Sequence, residues 1–335
     1  MSTQSRKEDH LRIPAELDVQ SMPNPWHELR LRHNAVPERD LADVDTKTTF
    51  LGHSLGAPFL ISGMTGGTPL AATINRRLAK EAGNRGWAMG VGSQRAALED
   101  PSLASSFDCS EAPLRFANLG MPQLIRWDDR VEKARAAVEM VDAHAICVHL
   151  NTLQEAIQPE GDTDAKGGLA AIAEVAAGVG VPVIAKETGA GIDGAAAKQL
   201  ADAGVAAIDV GGAGGTSFSA VEHYRASDAG DAVKAALGRT FWDWGNPTPR
   251  CVAEVRSAVD IPVIASGGLT SGLDAAKAFA LGADLAGFAG HLFRAAIKGE
   301  AELALACDIL LEELKTTLFL TGVQHPEFLG EDHLA

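Results

Sequence analysis

Cysteine is scarce in this chain of 335 residues: there are four. Cys109, Cys147, Cys251 and Cys307 are far apart and form no CxxC pair, which excludes a zinc knot and a disulfide framework and leaves them as packing residues. Long apolar runs are also missing, since none approaches the roughly 18 uncharged residues that a membrane helix needs. The opening MSTQSRKEDHLRI is too polar for a signal peptide, so a cytoplasmic protein with no membrane partner is expected. Positive charge is in deficit: Lys and Arg number 29 against 44 Asp and Glu, a formal balance of -15. Duplex phosphates demand a basic face, so nonspecific nucleic-acid binding is excluded and an anionic substrate would need a local basic cluster. Low-complexity tracts are absent too. With 46% hydrophobic residues, the chain can bury a large core as one big domain or two ordinary ones.

What is present is an alternation. From residue 58 onward, short apolar runs ending in glycine or polar residues alternate with longer alanine-rich stretches of helical spacing, the pattern of βα units. Strands are predicted at 58–65, 86–93, 114–120, 144–150, 181–187, 206–212, 261–268 and 284–290. Helices are predicted between them at stretches such as PLAATINRRLAKEAG, DDRVEKARAAVEMVDA, GLAAIAEVAAGVG and GLDAAKAFALGA, several closed by glycine. Thr248-Pro249 predicts another helix start, with threonine as N-cap and proline at the first helical position. Eight such units over roughly 250 residues fit an α/β fold, a (β/α)8 TIM barrel, and near-continuous apolar strands fit a parallel sheet buried on both faces. A doubly wound open sheet is the structural rival. Residues 1–57, carrying Pro14, Pro23, Pro25 and Pro37, are expected to form an N-terminal arm that has room for one short helix. The barrel is expected over 58–323 and a C-terminal tail over 324–335.

In a (β/α)8 barrel the loops after the strands build the active site. ASGGLTSG (265–272) and AGHLF (289–293) place glycine amides after the seventh and eighth strands, where barrels commonly hold a phosphate; a tight turn is the plainer reading. GGTS can add the Thr216 hydroxyl to the same cup. Lys186 ends the fifth strand, where it can neutralise an anionic ring edge, form a Schiff base, or simply pair with Glu187 or a neighbouring strand. Thr65, Ser93, Asn118 and the Met64 backbone can hydrogen-bond a planar heterocycle across the mouth. After the fourth strand, His149 and Asn151 fall on one face of extended chain, with Gln154 and Glu155 in the following loop. Glu155 is a suitable oxygen ligand for Mg2+, which binds through one or two carboxylates and the substrate's phosphates; a solvated loop is the alternative. Arg6, Lys7 and His10 are the basic cluster the acidic chain otherwise lacks, although such a terminus is usually a mobile tail.

Taken in order, SRKEDH, MTGG, GVGSQRA, ANLG, HLNTLQEAIQPEGD, AKETGAG, GGAGGTS, WGNPT, ASGGLTSGLDAAKAFALGAD and LFLTGV resemble the type 2 isopentenyl diphosphate isomerases, from Arg6 to about Val323. MTGG and ASGG are generic for flavin barrels, whereas the N-terminal Arg-Lys pair, the SQR and the HLNxxQE are specific. The resemblance implies an FMN-dependent homotetramer or homo-octamer that interconverts isopentenyl and dimethylallyl diphosphate, using reduced FMN primed by NADPH, and Mg2+. It further implies that Gly63, Met64, Thr65, Ser93, Asn118, Lys186, Thr216, Gly267, Gly268, Ala289 and Gly290 hold FMN. Arg6, Lys7, His10, Ser93, Gln94, Arg95 and Gln154 would hold the substrate. His149, Asn151 and Gln154 would serve catalysis, and Glu155 the metal. On this reading the N-terminal segment folds over a barrel mouth.

Two positions depart from the family pattern: Phe218 stands where some members have tryptophan, and Asn246 where an apolar residue is commoner. Phe218 keeps an aromatic wall, whereas Asn246 raises the question of how its loop packs. The rival enzyme is an FMN-dependent barrel oxidoreductase of the 2-hydroxy-acid oxidase type, which needs an HGGRQ-like loop that this sequence lacks. An IMP dehydrogenase would need a cysteine after the sixth strand, and all four cysteines lie elsewhere. A noncatalytic barrel used as a binding module predicts no bound flavin.

Overall fold

The computed structural model describes residues 3–335, and side chains for residue 7 and residues 9–335. A short antiparallel hairpin of β1 (Thr48–Phe50) and β2 (His53–Leu55) precedes the main sheet. Eight parallel strands follow: β3 (Phe59–Ile61), β4 (Ala88–Gly90), β5 (Leu114–Gly120), β6 (Ala145–Leu150), β7 (Val183–Glu187), β8 (Ala207–Asp209), β9 (Val263–Ser266) and β10 (Leu285–Phe288). They pair in sequence order, and β10 returns to β3 to close the barrel. The predicted (β/α)8 barrel is therefore the observed fold, and the open sheet is excluded.

Each predicted strand contains an observed one. β5 coincides with its prediction; β6 and β7 keep their predicted C-terminal ends and start one and two residues later, while in the other five the glycine-rich and polar C-terminal ends leave the sheet as loops. Burial on both faces explains the apolar runs. Outward residues such as Ile61, Ile146 and Val263 pack under the helices. Inward ones such as Leu60, Phe116, Cys147 and Ile184 fill the barrel, where Phe50 and Leu55 of the hairpin join them and plug its N-terminal end.

The arm has more structure than its prolines predict. Residues Thr3–Glu16 form a helix that keeps Pro14 in its last turn, and 3-10 turns follow at Pro25–Glu28 and Leu41–Asp43. Ile13 and Val19 pack on Ala220 and Val221 of the helix Phe218–Asp228, which seats the arm on the barrel's C-terminal face. Residues 324–335 form two more 3-10 turns, and Leu334 bridges back to Leu31 of the arm. The predicted N-cap at Thr248 moves by one residue: Pro247 caps the helix Thr248–Ala258. The Thr248 hydroxyl instead donates to the Ala213 carbonyl at 3.0 Å, tying the helix start to the loop after β8.

Candidate active site

A cavity of about 310 Å³ opens at the C-terminal ends of the strands, under the N-terminal helix. Parallel strands all end on this face, so residues scattered through the sequence converge there. Of the residues singled out from sequence, Lys7, His10, Gly63, Met64, Thr65, Ser93, Arg95, Asn118, His149, Asn151, Gln154, Glu155, Lys186, Thr216, Gly267, Gly268, Ala289 and Gly290 all line it.

Lys186 forms part of the floor. It sits in register with Asp209 on the adjacent strand, with Nζ 2.9 Å from Asp209 Oδ2, and the Ser266 hydroxyl donates to the other Asp209 oxygen. Burial opposes the lysine's charge, but the attraction and hydrogen bond of Asp209 outweigh it and hold the pKa above the ordinary lysine value. The 2.9 Å pairing with Asp209 favours the charged amine, whereas Schiff-base chemistry needs the neutral one. The partner is Asp209 rather than Glu187, whose carboxylate accepts the amides of Gly189, Ala190 and Gly191. Burial keeps Glu187 above the usual carboxylate range despite those three donors.

One wall comes from the end of β6. His149 Nδ1 donates to Asn118 Oδ1 at 2.8 Å, an orientation fixed because Asn118 Nδ2 itself donates to the Val91 carbonyl. Gln154 and Glu155 do not follow in a loop, as expected, but occupy a six-residue helix, Thr152–Ile157, entered through Asn151. That turn brings Asn151 Nδ2 within 2.9 Å of Glu155 Oε1 and 3.3 Å of Gln154 Oε1. Glu155 Oε2 accepts from Gln158 and from the Asp162 amide. Among the described residues Asn151 Oδ1 is buried without a hydrogen-bond partner, an acceptor that a bound ligand would satisfy. Among the described residues no group of three His, Cys, Asp or Glu side chains is spaced to hold a metal. A divalent ion at Glu155 would therefore draw its other ligands from water and a substrate's phosphates, a coordination that suits Mg2+.

The N-terminal helix supplies the opposite rim. Lys7 Nζ donates to the carbonyls of Gly66 at 2.8 Å and Ser93 at 3.2 Å, and lies 5.0 Å from the Phe107 ring centre. His10 Nε2 lies 2.8 Å from Glu222 Oε1, which also accepts from Gln154 Nε2. Glu222 and Arg225 are buried together, and Arg225 reaches on to Glu160. Burial pushes Glu222 upward, but His10, Arg225 and Gln154 together bring it below the usual carboxylate range. Phe218 stands edge-on to His10 in the same wall, with ring centres 6.0 Å apart. Asn246 lies outside the cavity, its loop held by backbone bonds to Ala190 and Ala213.

The glycine cup is shaped by close approach. Gly267 and Gly268 have φ of 112° and 76°, and a Cβ on Gly268 would meet the Gly214 carbonyl oxygen at 2.4 Å, so only glycine fits. Two arm residues hold this turn from outside: Asn24 Nδ2 donates to the Gly268 carbonyl and the buried Trp26 Nε1 to the Gly267 carbonyl.

Gln94 is a correction. Its side chain is fully buried away from the cavity, where Nε2 donates to the Ala137 carbonyl and Oε1 accepts from the Asn118 amide, so the side chain braces the wall instead of lining the cavity. Arg6 lies outside the residues whose side chains are described. Arg95 lines the cavity while bonded to Glu99 and 3.5 Å from Asp162. Sequence reading missed Asp209, Glu222, Asp162, Asn24 and Trp26. Asp209 carried a signal, a lone charge inside the apolar run AAIDVGG; the others reach the site through contacts with distant segments, such as Glu222 with His10 and Trp26 with Gly267.

A closed eight-stranded parallel barrel with a glycine cup after its last two strands and an ion-paired lysine in its floor suits a bound mononucleotide, and a family match places the chain among the FMN-dependent barrel proteins. Residues 160–335 match the family described as FMN-dependent dehydrogenase. The flavin-binding domain of baker's yeast flavocytochrome b2 superposes with a TM-score of 0.70 at 17% identity, covering 98% of this chain and 81% of that one. A lactate oxidase structure from Pediococcus acidilactici gives 0.66 at 17% identity, over 92% and 83%. Such low identities speak for the fold alone. The isopentenyl-diphosphate delta-isomerase of Archaeoglobus fulgidus is 49% identical over 98% of this chain and 94% of its own length. That of Nostoc sp. is 49% identical over 96% and 92%. The chain belongs to the isopentenyl-diphosphate delta-isomerase family, in its flavin-barrel form.

Proposed function

We propose that this enzyme interconverts isopentenyl diphosphate and dimethylallyl diphosphate with reduced FMN in the barrel mouth, NADPH as the reductant that primes the flavin, and Mg2+ on the diphosphate. The observation that carries the reading is the joining, in one cavity, of a glycine cup suited to a mononucleotide and the His149–Glu155 wall suited to a metal-bound diphosphate. The residues fit a flavin: Gly63, Gly267, Gly268 and Gly290 leave backbone exposed to it, while Thr65, Ser93, Asn118 and Thr216 offer polar contacts. Once bound, reduced FMN would supply an electron-rich face beside a group able to exchange a proton.

Moving the double bond requires a proton added at one carbon and removed from another, with cationic character between. In this chain Lys7, His10 and Arg95 grip the diphosphate, and Glu155 holds its metal. His149 and Asn151 orient the same end, Gln154 faces the hydrocarbon, and Phe218 helps exclude water from the developing cation. Lys186, kept charged by Asp209, counters negative charge on the flavin's ring edge.

The test is anaerobic incubation with FMN, NADPH, Mg2+ and isopentenyl diphosphate. Dimethylallyl diphosphate should form only when flavin is present; its absence, or equal formation without flavin, would overturn the reading. Glu155→Gln should lose activity at low Mg2+ and regain part of it as Mg2+ is raised, and an unchanged Mg2+ requirement would remove the metal assignment. We further propose a cytoplasmic homotetramer or homo-octamer. Among the described residues no helix is long and apolar enough to cross a membrane, and Leu305 and Ile309 expose one apolar face of the helix Glu300–Thr321. Sedimentation at micromolar concentration checks the assembly.

A further inference from the structure

We propose that Arg294, acting with the Thr216 hydroxyl, is the cationic clamp for the terminal phosphate monoester of the bound mononucleotide; this rests on the flavin reading of the cavity and deepens it. Of the cavity's cations, Lys7, His10 and Arg95 are assigned to the diphosphate and Lys186 to the flavin ring, and the last three of these also have carboxylate partners in the fold. Lys186 is paired with Asp209, Arg95 with Glu99 and Asp162, and His10 with Glu222. Arg294 lines the same cavity with its side chain exposed, and it makes no hydrogen bond or ion pair among the described residues. In a chain with a formal charge of -15, a guanidinium without a carboxylate at the edge of a ligand-sized cavity is available to an incoming anion.

Its position selects the anion. Arg294 lies one turn beyond Gly290 on the helix Gly290–Lys298, which brings its head group back over that glycine. A methyl group placed on Gly290 would stand 3.2 Å from Arg294 Nη1 and 3.6 Å from Thr216 Oγ1. The missing side chain thus opens a space bordered by a fork of N–H donors and a hydroxyl, beside Gly267 and Gly268 in the cavity wall. A phosphate monoester presents several oxygens on one centre and is matched by the planar guanidinium in a bidentate way, which a point charge cannot reproduce.

Riboflavin and FMN share the isoalloxazine ring and differ at this phosphate, so the pair isolates the contact. Dissociation constants of both flavins for the apoprotein, read by quenching of flavin fluorescence, should be measured for the wild type, Arg294→Ala and Arg294→Lys. Arg294→Ala should weaken FMN binding roughly tenfold to a hundredfold, as expected for lost hydrogen bonds to a charged group, and leave riboflavin binding unchanged. Arg294→Lys should fall between them. FMN affinity unaltered in Arg294→Ala, or an equal loss for both flavins, overturns the clamp while the flavin reading stands. A wild type that binds neither flavin overturns both. Because the side chain is exposed and makes no hydrogen bond or ion pair among the described residues, an unchanged circular dichroism melt is expected for the alanine variant.

Discussion

Asp209 shows how one residue fixes the state of another. A buried lysine alone would shed its proton to escape desolvation, so the charge on Lys186 depends on the carboxylate 2.9 Å away. Because the folded pKa is raised, the stabilisation from this lysine is complete below its unfolded pKa and is lost only as the pH climbs through the higher folded value. Asp209→Asn should therefore destabilise the protein at neutral pH by about 3–5 kcal/mol, the cost of stranding one partner of a buried pair. The difference from wild type should be largest at neutral pH and below and should shrink as the pH rises toward about 10, because the variant's unpaired lysine folds neutral while its unfolded chain still binds the proton. Urea midpoints across that range check both statements, and coincident midpoints at neutral pH would contradict the pairing.

At the scale of elements, the arm acts as part of the site's scaffold. Trp26 is fully buried, its indole N–H donates to the Gly267 carbonyl at 3.0 Å, and Lys277 donates to its backbone carbonyl at 2.7 Å. Trp26→Ala should cost about 3–5 kcal/mol in a chemical melt and speed amide exchange in the Gly267–Gly268 turn. Trp26→Phe keeps most of the packing and removes one hydrogen bond, so about 1 kcal/mol is expected. Equal losses in the two variants would mean that the hydrogen bond, and not the ring volume, holds the turn. The order PNPW gave little warning of this, because prolines at 23 and 25 break local periodicity while the partner loop lies more than 240 residues away. The short helix Thr152–Ile157 was hidden for a related reason: six residues carry too little periodicity to be told from a loop.

At the scale of the whole molecule, the four cysteines report on cooperative unfolding. All are buried, and burial is the main cause pushing each thiol up to about 12. The native protein should consume almost no thiol reagent at about pH 8, where an ordinary free thiol reacts readily, and four equivalents once denatured. A fast native fraction would show that one region opens by itself.

The sequence by itself determined the eight βα units and hence the barrel, because strand and helix periodicities are local and parallel strands buried on both faces must be apolar throughout. It also determined most of the mouth, since (β/α)8 closure puts every strand end on one face, and in-order motifs such as HLNTLQEAIQPEGD sufficed to indicate the family. Only the tertiary structure decided which polar groups face the cavity and which brace its walls. Gln94 turns inward onto Ala137 while its neighbour Ser93 lines the cavity, and Lys186 is claimed by Asp209. Those outcomes depend on which side of a loop a side chain leaves from and on which charge from another strand it meets, and neither is written in local spacing.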